Sequence, residues 1–322
     1  MEDRKTRLLT NGAVLSLLAV ICCALWGSAF PGIKIGYRLF EIAAGDSYSQ
    51  ILFAGCRFFF AGILAILIGS ITGRKGLRPR KDSWKRILVL CLFQTVLQYV
   101  FFYIGLAHAS GVKSSIIGGS GVFVSILLAC LLFRQERLTV RKGIGCVLGF
   151  AGVILVNLNG SGLDTGFSFL GEGFILLSTV ASAMSSVLMK IYSKEDSPVM
   201  LSGYQFVCGG LALMAVGFLG GGRIAHFTGQ GAAVLAYLAF LSAAAYSIWS
   251  ILLKYNPVSR VAVWGFTNPI FGVIFSMIFL KEAQTAFALQ LFAALLLVCL
   301  GIYVVNRPET AARPRRGGTA GA

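Results

Sequence analysis

No aspartate or glutamate stands in the middle of any long apolar run of this chain, and only two histidines, His108 and His226, occur in its 322 residues. A membrane-embedded enzyme needs a cluster of nucleophile, base or metal ligands. These residues assemble none, so the chain is not read as an enzyme. Charge is scarce, at 12% of residues, against about 25% in soluble domains. All eight cysteines (Cys22, Cys23, Cys56, Cys91, Cys130, Cys146, Cys208, Cys299) fall inside apolar runs, without zinc-like spacing. They read as small packing residues, so no metal, disulfide framework or cofactor is expected. Short alternating strands are missing, which excludes a β-barrel. No re-entrant filter segment is visible, which argues against a channel.

What is present is apolar residue: 57% of the chain is hydrophobic and the mean hydropathy is +0.82. The apolar stretches cover 12–36, 49–71, 86–108, 112–133, 141–158, 169–192, 198–219, 231–254, 260–280 and 285–305. Most approach the ~20 residues that span a ~30 Å hydrocarbon core. The fold class is therefore an all-α polytopic membrane protein with ten transmembrane helices. The first stretch is longer than a signal-peptide h-region and leads into Trp26-Gly27-Ser28-Ala29-Phe30-Pro31, so it is expected to be retained.

The net charge of +16 raises nucleic acid as a partner, but the loops explain it better. Arg4, Lys5 and Arg7, then Arg74 to Arg86, then Arg134 to Lys142, Lys190 and Lys194, Lys254 and Arg260, and finally Arg307 to Arg316 all fall on one side of a ten-pass topology. Arg38, Lys113, Arg223 and Lys281 fall on the other. The positive-inside rule then puts both termini in the cytoplasm of a cell-membrane protein. The lipid bilayer and a small-molecule substrate are the expected partners, nucleic acid is not, and the chain is read as a monomer.

The layout is written twice. Ser110–Asn157 holds a Gly-rich apolar run, then Glu136, then an apolar run ending at Asn157. Asn256–Asn306 repeats this order around Asn268-Pro269 and Glu282, with offsets of 146 from Glu136 to Glu282 and 149 from Gly152 to Gly301. Residues 1–11 form a cytoplasmic N-terminus, 12–158 the first five-helix repeat, 159–168 an external linker, 169–306 the second five-helix repeat, and 307–322 a disordered cytoplasmic tail. Five crossings are an odd number, so the repeats lie inverted in the membrane, the arrangement that underlies alternating access. Gly145, Gly149 and Gly152 mark a close helix contact. Pro31 and Pro269 are expected to kink or unwind their helices and free carbonyls.

Trp26-Gly27-Ser28 with Lys34, the Tyr99–Leu106 segment, Glu136-Arg137-Leu138, and Asn268-Pro269-Ile270-Phe271 before Glu282 together resemble the drug/metabolite transporter superfamily, in its ten-helix EamA type. The likeness covers about residues 12–306, in register with the repeats. One departure is Gly121, where the first repeat of that family would carry a proline. The resemblance implies export or exchange of small metabolites such as amino acids through a central cavity near the bilayer midplane. Nucleotide sugars or drugs are the alternative cargo for that fold. Small multidrug resistance proteins, which resemble half of this architecture, use a mid-membrane glutamate that this chain lacks, so cation–proton antiport by that mechanism is disfavoured.

Polar groups inside the spans are the candidates for cargo contact, since lipid leaves them unsatisfied. The substrate-binding set is Trp26, Ser28, Arg57, Gln98, Tyr99, Tyr103, Ser186, Tyr246, Trp249 and Asn268, with Pro31, Gly121 and Pro269 as hinge or packing positions. Interhelical hydrogen bonding and core packing are the plainer roles for the same residues. Gln94, Ser185 and Gln205 are further polar positions, and Trp264 reads as an interface-belt residue. Lys34 and Lys113 read as cations snorkelling to the outer interface. Arg57 lies deeper and is balanced between structural pairing and substrate contact; with the two lysines it would form a basic outer vestibule for an anionic group.

Overall fold

The computed structural model describes residues 2–43, 45–73, 76–109, 114, 117–157, 167–280 and 287–307. Among them there is helix and no strand. A short polar helix, α1 (Glu2–Thr10), precedes α2 (Gly12–Leu39), α3 (Ser47–Thr72), α4 (Lys81–His108), α5 (Ile117–Leu132) and α6 (Val140–Asn157). The second half holds α7 (Phe169–Tyr192), α8 (Pro198–Leu219) and α9 (Gly229–Tyr255). α10 then runs from Val258–Ala262 through a 3-10 stretch, Val263–Thr267, into Asn268–Leu280. α11 (Phe287–Asn306) ends the described chain.

Seven of these are long and apolar enough to cross a membrane: α2, α3, α4, α7, α8, α9, and α10 over Val258–Phe279. The chain is thus a multi-pass membrane protein. α5 and Phe292–Asn306 of α11 are shorter apolar helices. Lys113, Lys281, Glu282, most of the 159–168 linker and the tail beyond 307 lie outside the described residues.

Local chemistry sets the helix starts. Asn11 accepts the Ala13 amide at 2.9 Å, Asp46 accepts that of Ser49 at 3.0 Å, and Thr228 accepts that of Gly231 at 3.0 Å. Ser197 caps α8, with Pro198 in its first turn, where a missing N–H is harmless. α4 begins five residues before the expected 86, because Lys81-Asp82-Ser83-Trp84-Lys85 make an amphipathic first turn ahead of the apolar run.

Small residues set the packing. α3 lies along α8 with a Cβ built at Gly62 falling 2.6 Å from the Gly203 carbonyl oxygen. α6 lies along α11 with Gly145 and Gly152 at the seam, facing Gly301 and Val298. Lipid supplies no hydrophobic drive between helices, so close backbone approach and dispersion must hold such pairs together. α2 packs on α9 and α10, and α4 packs on α7.

The two prolines behave differently from expectation. α2 is helical without a break through Pro31, so the unwinding foreseen there is absent. Pro31 removes the bond to the Gly27 carbonyl, and Gly27 is where α2 packs onto Phe271 of α10. Pro269 sits in the first turn after the 3-10 stretch, where proline fits without distortion, and the irregularity lies just before it. Gly121 opens the Gly121–Leu127 stretch of α5 opposite Thr179 of α7. Trp264 is half-buried against the main core, with its indole nitrogen enclosed and without a partner among the described residues. Helix rotation, which sequence position near a helix end does not reveal, turns it inward.

Candidate functional site

The central feature is a cavity of about 330 Å³ between α2, α3, α4, α5, α7, α9 and α10. Trp26, Arg57, Gln98, Tyr99, Tyr103, Ser186, Tyr246, Trp249, Asn268 and Gly121 all line it. Ser28 does not: its hydroxyl bonds the Leu25 carbonyl at 2.8 Å and meets the Tyr237 hydroxyl at 2.7 Å. Residues two apart on a helix face different ways, so Trp26 and Ser28 cannot both turn inward.

Trp26, Tyr99, Tyr103, Tyr246 and Trp249 face the cavity, and Phe58 and Phe206 lie fully buried behind them. Trp26 stands edge-on to Tyr246 (5.1 Å, 67°) and to Trp249 (5.0 Å, 64°). Tyr246 packs on Phe206 at 4.8 Å, Phe206 stacks on Phe58 at 5.0 Å, and Phe58 meets Tyr99 at 4.5 Å. The Tyr99 and Tyr246 hydroxyls lie 3.1 Å apart, joining the two repeats across the cavity. Such ring pairs fix one another beyond simple burial, by about 0.5–1.5 kcal/mol each.

Arg57 is 3% exposed. Its Nε donates to Ser242 Oγ at 2.8 Å, and Ser242 in turn donates to the Leu238 carbonyl at 2.7 Å. Its guanidinium lies 5.0 Å over the Phe58 ring. Lys34 is exposed and outside the lining. Lys113 lies outside the described residues, so of the three basic positions Arg57 is the one the structure places at the cavity.

Several polar atoms at the cavity are buried without a partner among the described residues: Trp26 Nε1, Gln94 Oε1, Gln98 Oε1 and Asn268 Oδ1. Buried polar atoms are paired in the great majority of cases, so a cluster of unpaired ones around a cavity marks a place built to meet a guest or water. A π-helical segment, Cys91–Leu97, carries Gln94, and the widened turn is a common device for re-aiming side chains. Gln205 plays the plainer part, accepting the Thr95 hydroxyl at 2.7 Å away from the cavity.

On the serine face of α7 sequence reasoning found Ser185 and Ser186 and missed Ser178 and Ser182. Ser178, Ser182 and Ser185 line the cavity with Met189, at helical spacings of four, three and four. That i, i+4, i+7 pattern was a readable signal. Two of the hydroxyls are satisfied within the protein, Ser178 on the Gln98 carbonyl at 2.7 Å and Ser185 on the Ser182 carbonyl at 2.7 Å.

Beyond Met189, Leu253 and Ala262 the cavity meets a polar floor. Lys190 donates to the Leu253 and Asn256 carbonyls, and Asn256 donates to the Leu9 carbonyl at 3.0 Å. Glu136, in the loop after α5, accepts the Ser259 amide at 3.2 Å, the Ser259 hydroxyl, and Lys142 Nζ at 2.9 Å. Burial raises the pKa of the Glu136 carboxyl, but the bonds from Ser259 and Lys142 outweigh it and hold the group below the usual range. Nearby, Asp196 accepts Ser83 Oγ at 2.7 Å and Arg86 at 2.7 Å. Desolvation again works upward there, and the Ser83 and Arg86 contacts again prevail, lowering its pKa.

Comparisons with known proteins place this architecture. A solved crystal structure superposes with a TM-score of 0.72 at 18% identity, covering 91% of this chain and 96% of its own, which shows a shared fold. A chloroplastic WAT1-related protein of Arabidopsis thaliana is 29% identical over 320 residues, covering 96% of this chain and 74% of that protein. The uncharacterized transporter YvbV of Bacillus subtilis is 29% identical over 300 residues, 92% of either chain. Protein PecM of Dickeya dadantii is 27% identical over 251 residues, 74% of this chain and 79% of its own. The EamA-like transporter family matches twice, over residues 13–158 and 169–307, so the duplication read from the sequence is a duplicated family domain. The chain belongs to the EamA-like transporter family, within the drug/metabolite transporter superfamily.

Proposed function

We propose that the protein is a secondary transporter of the cell membrane that exports or exchanges a small polar metabolite, an amino acid or similar solute, by alternating access. Ten crossings place both termini in the cytoplasm, and the two five-helix repeats lie inverted. The observation that carries this reading is that the cavity is lined by helices of both matched segments and floored by contacts that tie one segment to the other, Glu136 to Ser259 and Arg86 to Asp196. Opening that floor while closing the opposite end would present the same cavity to the other face.

The helix contacts support the symmetry. Exchanging the repeats maps the pairs α3·α8 and α6·α11 onto themselves, turns α2·α9 into α4·α7, and turns α2·α10 into α5·α7; all of these pairs pack together. A cavity of about 330 Å³ lies at the small end of ligand pockets, which run ~300–1,000 Å³, and suits a metabolite better than a bulky lipid.

The test is uptake into proteoliposomes of radiolabelled amino acids, sugars and nucleotides, with and without a pH gradient. Saturable uptake of a solute in one of these classes, lost in Asn268→Ala with the protein still folded, is expected. Failure to move any of them, or uptake untouched by both Asn268→Ala and Trp26→Ala, overturns the reading.

A further inference from the structure

We infer that Arg57 is the docking point for an anionic group of the cargo, so that the solutes taken are small organic carboxylates with an apolar or aromatic body. This rests on reading the central cavity as the transport site. A guanidinium keeps its charge at any physiological pH. At 3% exposure, such a charge left without a counterion is costly by several kcal/mol. Two other partly buried cations have acid partners: Arg86 pairs with Asp196 at 2.7 Å and Lys142 with Glu136 at 2.9 Å. Among the described residues no carboxylate pairs with Arg57, and the cavity lining holds no Asp, Glu or Lys.

The neutral contacts leave the fork free. Among the described residues only Nε is engaged, on a serine whose own proton is committed to Leu238. Tyr37, Tyr103 and Tyr246 lie within electrostatic reach but bring no full charge. The two terminal nitrogens carry four N–H donors in the planar geometry that a carboxylate accepts in bidentate fashion. Ser242 and the Phe58 ring hold the guanidinium in place, so little side-chain freedom is lost when a guest arrives. Phe58 packs against Tyr99, and Tyr99, Tyr246, Trp26 and Trp249 line the same cavity as Arg57. A solute with its carboxylate on Arg57 therefore lays its body along aromatic surface.

The experiment measures thermal unfolding of the purified full-length protein against phenylacetate, its uncharged counterpart phenylacetamide, and sodium chloride. Phenylacetate is expected to raise the midpoint with a saturable dose response, and the amide and chloride are not. Arg57→Gln is expected to weaken half-saturation by phenylacetate at least ~10-fold, and Arg57→Lys to fall between, since it keeps the charge and loses the fork. Equal protection by acid and amide, protection by chloride alone, no protection by phenylacetate, or an undiminished response in a folded Arg57→Gln each overturns the inference. The wild-type acid–amide comparison decides even if Arg57→Gln does not fold. Transport separates the two readings. Vesicles that take up nothing while phenylacetate still protects through Arg57 sink the transporter reading alone. Vesicles that move an uncharged solute equally well in wild type and Arg57→Gln sink the Arg57 inference alone.

Discussion

Glu136 accepts the backbone N–H of Ser259 at 3.2 Å and so caps the first turn of α10 from a loop 123 residues earlier in the chain. The carboxylate at that N-terminus also meets the helix dipole favourably. The contact therefore does two jobs. It orders the start of α10, the helix that carries Asn268 to the cavity, and it fastens the first repeat to the second.

Removing that cap is expected to loosen the floor of the cavity. Glu136→Ala should lower stability by about 1–3 kcal/mol, because two donors on Ser259 and the Lys142 ammonium lose their acceptor. The pH dependence has a definite sign. The Glu136 pKa is depressed in the folded protein, so its contribution is complete above the ordinary carboxylate range near ~4. It is lost as pH falls through the lower folded value. Thermal midpoints taken from pH 7 downward should drop in wild type and drop less in Glu136→Gln; parallel curves would contradict the assignment.

The neighbouring acidic pair gives a contrast in burial. The Asp196 side chain is 3% exposed and that of Glu195 63%, yet both reach Arg86. Asp196→Ala should destabilise by about 1–3 kcal/mol, since it strands the buried Ser83 hydroxyl and frees Arg86, whereas Glu195→Ala should fall within about 1 kcal/mol. Denaturation of the two variants under one detergent condition checks this, and a larger effect at Glu195 would refute it.

Glycines divide the same way. A methyl at Gly301 would fall 2.5 Å from the Gly145 carbonyl oxygen, and one at Gly62 2.6 Å from the Gly203 oxygen. Gly62→Ala and Gly301→Ala are expected to part the helix pairs and cost about 1–3 kcal/mol each. At Gly143 nothing lies within 4 Å, so Gly143→Ala should be neutral or stabilising, by up to ~1 kcal/mol. Midpoints and detergent-solubilised yield report both directions at once.

Two positions near each other in sequence should separate in transport. Ser28→Ala removes only the contacts to Leu25 and Tyr237 and should leave uptake within about twofold. Trp26→Ala opens the aromatic wall and should lose uptake by ~10-fold or more, as expected for a buried aromatic anchor. Initial rates in vesicles with matched protein incorporation distinguish the two, and a Ser28 effect as large as that of Trp26 would place Ser28 in the site after all.

Much of the fold was legible because its causes are local. Apolar run length marked the helices: each of the ten stretches holds described helix, and seven of the helices are long and apolar enough to cross a membrane. Gly145, Gly149 and Gly152 announced a close contact, and they sit at one: Gly145 and Gly152 face α11, Gly149 faces Phe266. The site was legible as a set of polar and aromatic residues out of place in lipid, and most of them gather round one cavity.

The chain by itself determined the helices, the duplication and the inventory of polar groups inside the membrane, because hydropathy and period act over a few turns. Only the tertiary structure decided how each helix is rotated, and so which polar groups share a space. Ser28 turned away while Trp26 turned in, Trp264 came to lie half-buried against the core, and the Ser178–Ser185 face joined the cavity. The same holds for partners: nothing near Arg57 or Glu136 in sequence names Ser242 or Ser259. A hydrogen bond forms between whichever groups the packing of distant helices brings within 3 Å, and that packing is a property of the whole assembly.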